Sequence, residues 1–166
     1  WRAIRIGLDR PALLRYQLRA LITAAADTTL RIMFPMITNV EEFKLAKAIL
    51  EKELSRHQRN KRPMPKDIKV GTMLEVPSLV WQLDELLPLV DFVSIGSNDL
   101  MQFFYACDRE NPKMSNRYDT LSPSSLGMLR FIVEKCSAGN VPLTLCGEIG
   151  GEKVGALALL AIGFRR

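Results

Sequence analysis

Histidine is almost absent. The single His57 cannot build a histidine-rich metal centre. Cysteine is scarce as well: Cys107, Cys136 and Cys146 are odd in number and irregular in spacing. That leaves no disulfide framework and no zinc-type spacing, and it points to a reducing, cytoplasmic setting. No apolar run approaches the ~20 residues that span a bilayer, and no signal-peptide pattern opens the chain, so no membrane partner is expected. No Gly-rich dinucleotide fingerprint follows any apolar run. The chain also lacks low-complexity segments and starts at Trp1 rather than Met, as expected of a piece cut from a longer protein.

What remains is an ordinary globular composition. The 166 residues suffice for one domain with a substantial core, and 48% hydrophobic with 25% charged residues fits that class. The net charge is +5, with much of the excess in the loop from Arg56 to Lys66 and at Arg165-Arg166. Stacking aromatics do not interleave these basic residues, so no nucleic-acid partner is expected.

Five short apolar runs alternate with helical patterns. Residues 3–8 read as a first strand carrying Arg5. Pro11 then opens a helix with a stripe of Leu13, Leu14, Gln17, Leu18 and Leu21. Residues 30–37 form the next strand, with pairing expected to stop near Phe34 because Pro35 has no N–H to donate. Thr38 or Asn39 caps a long helix to about Gln58, buried through Phe43, Leu45, Ala46, Ile49, Leu50 and Leu54. His57 falls at its basic end and reads as a solvated surface residue. Residues 68–74 form a strand ending at Glu75, and a helix from Pro77 follows with Leu79, Val80, Leu83, Leu86 and Leu87 apolar. Residues 90–95 are a strand followed by a short helix over 100–106, capped by Asn98 or Asp99. Ser122-Pro123 restarts a helix that ends near Gly139. Residues 141–145 are the last strand, and 152–162 the last helix. Strands separated by helices indicate a parallel sheet. An open doubly wound sheet and part of a (β/α)8 barrel both fit.

In either architecture, ligands bind at the carboxyl ends of the strands. Glu75, Asn98, Asp99 and Cys146 all occupy that position on separate strands, and Arg5 lies nearer that rim than the other. An amide and a carboxylate at the end of a buried strand need partners, and a ligand or metal supplies them. Glu75 and Asp99 are hard oxygen donors suited to Mg²⁺ or Mn²⁺, or simple caps of the helices after them. Arg109 can fork onto a phosphate or carboxylate, or form a surface ion pair. Cys146 precedes Gly147-Glu148-Ile149-Gly150-Gly151 and reads as a small buried hydrophobe, a nucleophile or a proton donor, since a thiol is ordinarily protonated at neutral pH. Gly150-Gly151, placed at a helix start, can cradle an anion. Cys107 and Cys136 read as packing residues.

Seven motifs in order resemble the phosphoenolpyruvate-utilising enzymes: residues 1–5 (Trp-Arg-Ala-Ile-Arg), 31–36 (Arg-Ile-Met-Phe-Pro-Met), 71–77 (Gly-Thr-Met-Leu-Glu-Val-Pro), 94–102 (Ser-Ile-Gly-Ser-Asn-Asp-Leu-Met-Gln), 108–111 (Asp-Arg-Glu-Asn), 121–123 (Leu-Ser-Pro) and 145–148 (Leu-Cys-Gly-Glu). Within the family, the wording is similar to enzyme I of the phosphotransferase system and to its nitrogen-related paralogue. The resemblance implies a partial (β/α)8 TIM barrel, with about five full strand-helix units (strands three to seven) in residues 1–166. It implies Glu75 and Asp99 as ligands of Mg²⁺ (or Mn²⁺). Asn98, Asp99 and Arg109, with Arg5 as a further candidate, would hold phosphoenolpyruvate, and Cys146 would protonate the enolate as pyruvate forms. Phosphoryl would pass to a histidine on a separate upstream domain, then to a histidine phosphocarrier protein, in a homodimeric parent. His57 does not match that histidine, the two strands carrying phosphate-binding arginines precede this chain, and Val76 stands where sugar-type enzymes have Thr. Residues 1–166 alone are therefore expected to be inactive and prone to associate through open strand edges. A pyruvate phosphate dikinase or phosphoenolpyruvate synthase-like parent, and a non-catalytic dimerisation or metabolite-sensing barrel, are the alternatives.

Overall fold

The computed structural model describes residues 2–108, 111, 113–114 and 117–165. Among them, four strands form one sheet: β1 (Thr29–Phe34), β2 (Asp67–Leu74), β3 (Phe92–Gly96) and β4 (Leu143–Cys146). They lie in the order β1-β2-β3-β4, and every neighbouring pair is parallel. Parallel neighbours need a crossover, and helices supply each one. These are α3 (Val40–Arg59) after β1, α4 (Pro77–Val80) and α5 (Leu83–Leu86) with a 3-10 turn at Leu87–Leu89 after β2, and α6 (Ser97–Phe104) with α7 (Pro123–Ala138) after β3. Two helices precede the sheet, α1 (Ile4–Asp9) and α2 (Pro11–Ala24), and two follow it, α8 (Glu148–Gly151) and α9 (Lys153–Ile162). None is long and apolar enough to cross a membrane.

Several local signals act as their chemistry dictates. β1 stops at Phe34, immediately before Pro35. Asn39 caps α3 by accepting from the Glu42 N–H at 2.9 Å, and Glu42 returns the contact to the Thr38 N–H at 2.7 Å. Ser122 caps α7 through the Ser125 N–H. Phe43 of α3 meets Phe34 of β1 edge-on, with centroids 6.0 Å apart, and so locks helix to sheet.

Four expectations are corrected. Residues 4–9 are a helix, so there are four strands rather than five strand-helix units, and Arg5 sits on α1. Ile4, Gly7 and Leu8 are spaced i, i+3, i+4, which suits a helix as well as alternation suits a strand; Ile4 and Gly7 are buried. On α2 the buried row is Leu14, Leu18 and Ile22, while Leu13 and Leu21 are exposed. They line an open groove of about 380 Å³ with Ile4 and Phe34. Leu45 is likewise exposed, because the packed face of α3 runs through Phe43, Ala46, Leu50, Glu53 and His57.

The fourth correction is His57, which is buried. Its Nε2 lies 3.2 Å from Thr23 Oγ1. One turn earlier, Glu53 is fully buried between two arginines of α2: Arg15 Nε donates to Oε1 and Arg19 Nε to Oε2, each at 2.5 Å. Arg15, Arg19 and Thr23 are four residues apart, as are Glu53 and His57, so each set forms one helical row. The two guanidinium groups hold the Glu53 carboxyl down to about 2 against the opposing effect of burial.

Candidate active site

The parallel register decides what meets at the carboxyl rim. Leu74 pairs with Ile95 and Gly96 with Cys146, so Glu75, Gly96 and Cys146 stand level on three adjacent strands. Gly96 is required by this proximity: a Cβ there would lie 2.8 Å from Glu75 Oε2 and 3.0 Å from Met73 Sδ.

Glu75 is buried, and the Met36 backbone N–H donates to its Oε1 at 2.7 Å. Burial pushes the Glu75 carboxyl above its ordinary range. The Met36 N–H pulls it down, the Asp99 carboxylate pushes it further up, and Arg2 opposes that rise. Met36 makes this bond from a left-handed backbone with φ of 58°, an uncommon conformation for a side chain of its size.

Asn98 and Asp99 do not cap a later helix, because α6 already begins at Ser97 and both lie in its first turn. Asp99 is ion-paired with Arg2, whose Nη2 is 2.5 Å from Oδ2; a carboxylate in the first turn also suits the helix dipole. The Asn98 amide faces the β4–α8 turn. Its Oδ1 accepts the Glu148 N–H at 3.0 Å, and its Nδ2 lies 3.5 Å from Glu148 Oε1. Those two contacts use one acceptor site and one N–H of the amide, and its second N–H remains for a further acceptor.

Cys146 ends β4 with an exposed side chain. Its thiol donates to the Ile95 carbonyl at 3.3 Å, and Ser94 Oγ donates to the sulfur at 3.9 Å. The Cys146 carbonyl accepts from Ser97 Oγ at 2.9 Å. Gly147 follows with φ of 123°, where a Cβ would fall 2.1 Å from Ser97 Oγ. Cys107 and Cys136 are buried packing residues as expected, and burial raises the Cys136 thiol to about 11. Gly150 and Gly151 end α8 rather than start it, so they form no helix-start anion cradle.

The structure thus brings together Glu75, Asn98, Asp99 and Cys146. Arg109 lies outside the described residues. Arg5 stands on α1, and among the described residues it is Arg2, just before that helix, that pairs with Asp99 at the rim. Arg2 belongs to the motif at residues 1–5; a strand over residues 3–8 would place Arg5 nearer the rim, and the helix there removes that reason for Arg5. Ser97 lies within the motif at residues 94–102, but nothing in the sequence shows its contact with a backbone carbonyl 49 residues away.

Two carboxylates, one raised by burial and by the other's charge, form a hard oxygen pair that a divalent cation would relieve. Among the described residues no set of three or more His, Cys, Asp or Glu side chains is placed to hold a metal ion. A cation held by this pair would take the rest of its shell from water or substrate oxygens as far as the described residues go, which is how Mg²⁺ is commonly held.

Residues 1–166 match the family described as PEP-utilising enzyme, PEP-binding domain. The chain is 38% identical over 169 residues to the "Phosphoenolpyruvate-dependent phosphotransferase system" protein of Escherichia coli (strain K12), covering 99% of this chain and 22% of the relative. It is 40% identical over 163 residues to the phosphoenolpyruvate-protein phosphotransferase of Haemophilus influenzae, covering 98% and 28%. With that of Bacillus subtilis (strain 168) it shares 39% over 163 residues, covering 98% and 29%. The chain spans less than a third of the length of these relatives. A match along the whole chain, on a rim of strand-end carboxylates and a thiol, makes this chain a member of the PEP-utilising enzymes, within their PEP-binding domain.

Proposed function

We propose that this chain is the phosphoenolpyruvate-binding part of a phosphoenolpyruvate-protein phosphotransferase. Residues 1–166 would form part of a (β/α)8 barrel in a longer, cytoplasmic, homodimeric protein. That protein moves phosphoryl from phosphoenolpyruvate to its own histidine on another domain, then to a histidine phosphocarrier, and releases pyruvate. The observation that carries the reading is the convergence of Glu75, Asp99 and Cys146 at the carboxyl ends of neighbouring parallel strands, in a chain the family matches throughout.

The chain's own groups divide the work. Arg2 holds Asp99 in place and puts positive charge beside an incoming phosphate or carboxylate. The second N–H of the Asn98 amide, beyond the one that reaches Glu148 Oε1, suits a substrate oxygen, and Arg109 adds a forked donor. Glu75 and Asp99 would hold Mg²⁺ (or Mn²⁺), which when bound supplies charge neutralisation for a transferring phosphoryl group. Cys146 then completes the reaction: its S–H bond breaks as a C–H bond forms at the methylene carbon of the enolate, leaving thiolate and pyruvate.

The test uses the full-length protein with phosphoenolpyruvate and Mg²⁺, following pyruvate release and histidine phosphorylation together. Glu75→Gln and Cys146→Ala should each lower pyruvate formation by ~10²-fold or more. Undiminished pyruvate formation in Cys146→Ala would overturn the assignment of the thiol. Absence of phosphohistidine in the unaltered protein would overturn the phosphotransferase reading.

A further inference from the structure

The turn that carries Cys146 is fastened to the start of α6 at two successive peptide groups. Ser97 Oγ donates to the Cys146 carbonyl at 2.9 Å, and Asn98 Oδ1 accepts the Glu148 N–H at 3.0 Å. Between them Gly147 packs so closely over Ser97 that a Cβ has no room. Ser97 is buried, so its hydroxyl is committed to this contact rather than shared with solvent. The thiol is fixed from the same side, through the Ile95 carbonyl and Ser94. Among the described residues, the hydrogen bonds that orient Cys146 beyond its own strand pairing come from residues 94–97, the segment that runs directly into Asn98 and Asp99.

We infer that Ser97 is a positioning residue for proton transfer, setting the Cys146 thiol over the enolate carbon of a substrate held by Asn98 and Asp99. This rests on the phosphotransferase reading above. The physical reason is the short lever. The Ser97 hydroxyl holds the peptide oxygen of Cys146 itself, so losing the bond frees the turn at the residue that bears the sulfur. A misplacement of ~1 Å can cost ~10²-fold in rate. Phosphoryl transfer depends less on this bond: Glu75, Asp99 and Arg2 are held by Met36 and by each other, and Asn98 meets the turn through Glu148, a contact that the Ser97 hydroxyl does not make.

The two half-events can be read separately in the full-length protein. Proton transfer is measured as deuterium uptake into the methyl group of pyruvate in D₂O. The thiolate takes a methyl proton to give thiol and enolate, the S–H exchanges with solvent to S–D, and the deuteron returns to carbon. Phosphoryl transfer is measured as single-turnover formation of phosphohistidine from phosphoenolpyruvate. In Ser97→Ala, deuterium uptake should fall at least ~10-fold more than phosphohistidine formation. Ser97→Thr, which keeps the hydroxyl, should recover most of the uptake. Equal losses in both reactions, or no loss in either, would overturn the positioning role. An unaltered protein that forms no phosphohistidine would instead overturn the reading on which it rests.

Discussion

Replacing Glu53 by Gln should destabilise the chain in a way that vanishes in acid. Both carboxylate oxygens of this buried residue are occupied, by Arg15 Nε on one side and Arg19 Nε on the other, with Arg19 Nη2 adding a longer bond at 3.3 Å. Gln would present an NH₂ group to one of the two guanidinium groups, donor against donor. The carboxyl is lowered from 4.5 to about 2, which corresponds to ~3 kcal/mol at ~1.4 kcal/mol per tenfold change. Arg15 is 45% exposed, and solvent screening trims the figure to ~2 kcal/mol. For a chain of this length that is a Tm difference of ~4–8 °C at pH 7. The sign follows from linkage. A carboxyl lowered on folding contributes fully above its unfolded value near 4.5, and the contribution disappears as pH falls toward about 2. Thermal denaturation of the unaltered chain and of Glu53→Gln should therefore give curves that separate at pH 7 and close together between pH 4.5 and 2. A gap that is the same at pH 3 as at pH 7, or no gap at pH 7, would refute the assignment of this cluster as a net stabilising one.

The buried glutamate at the rim should behave in the opposite sense. Its carboxyl is raised by burial, so its ionisation weakens folding as pH rises through the unfolded value, and without a cation Glu75→Gln should leave the chain at least as stable at pH 7. The same substitution should abolish Mn²⁺ binding followed by electron paramagnetic resonance, and retained binding would remove Glu75 from the metal site. Gly147→Ala should lower Tm by at least ~3 °C, since a side chain at φ of 123° is strained and its Cβ would strike Ser97. A Tm within about 1 °C of the unaltered protein, less than the shift from ~0.5 kcal/mol, would show that the turn relaxes without cost.

Much of the sheet could be read from the chain. Short β-branched and aromatic runs, stopped by Pro35, by Glu75-Val76-Pro77 and by Gly96, are strands because few other structures suit such runs between helical patterns. The helix starts at Thr38-Asn39 and Ser122-Pro123 are legible from local cap chemistry, and the structure selects Asn39 and Ser122 as the capping side chains. What could not be read depends on distance. Glu53 and His57 look like the polar end of a surface helix, and only the partners Arg15, Arg19 and Thr23, 34–38 residues earlier, put them inside. The helix after β2 breaks at Trp81-Gln82, where the Gln82 side chain accepts from the Val40 N–H. Residues 4–9 are too short for either period to win. At the rim the strand-end side chains are identifiable by position; Arg2 and Ser97 lie inside motifs, but their duties are not legible because their contacts are 97 and 49 residues away.

One consequence concerns how the rim tolerates change. The donor to Glu75 is the peptide N–H of Met36, not its side chain. Any residue with an N–H supplies the same atom, so the letter at position 36 says little about its duty. Substitution there is filtered by backbone shape instead: with φ at 58°, Gly or Asn can follow the path easily, β-branched residues poorly, and Pro removes the donor altogether. A saturation scan of position 36 would thus be sorted by torsional preference more than by polarity or size, with Pro as the sharpest loss. An essential contact can in this way sit behind a residue whose chemistry gives no hint of it.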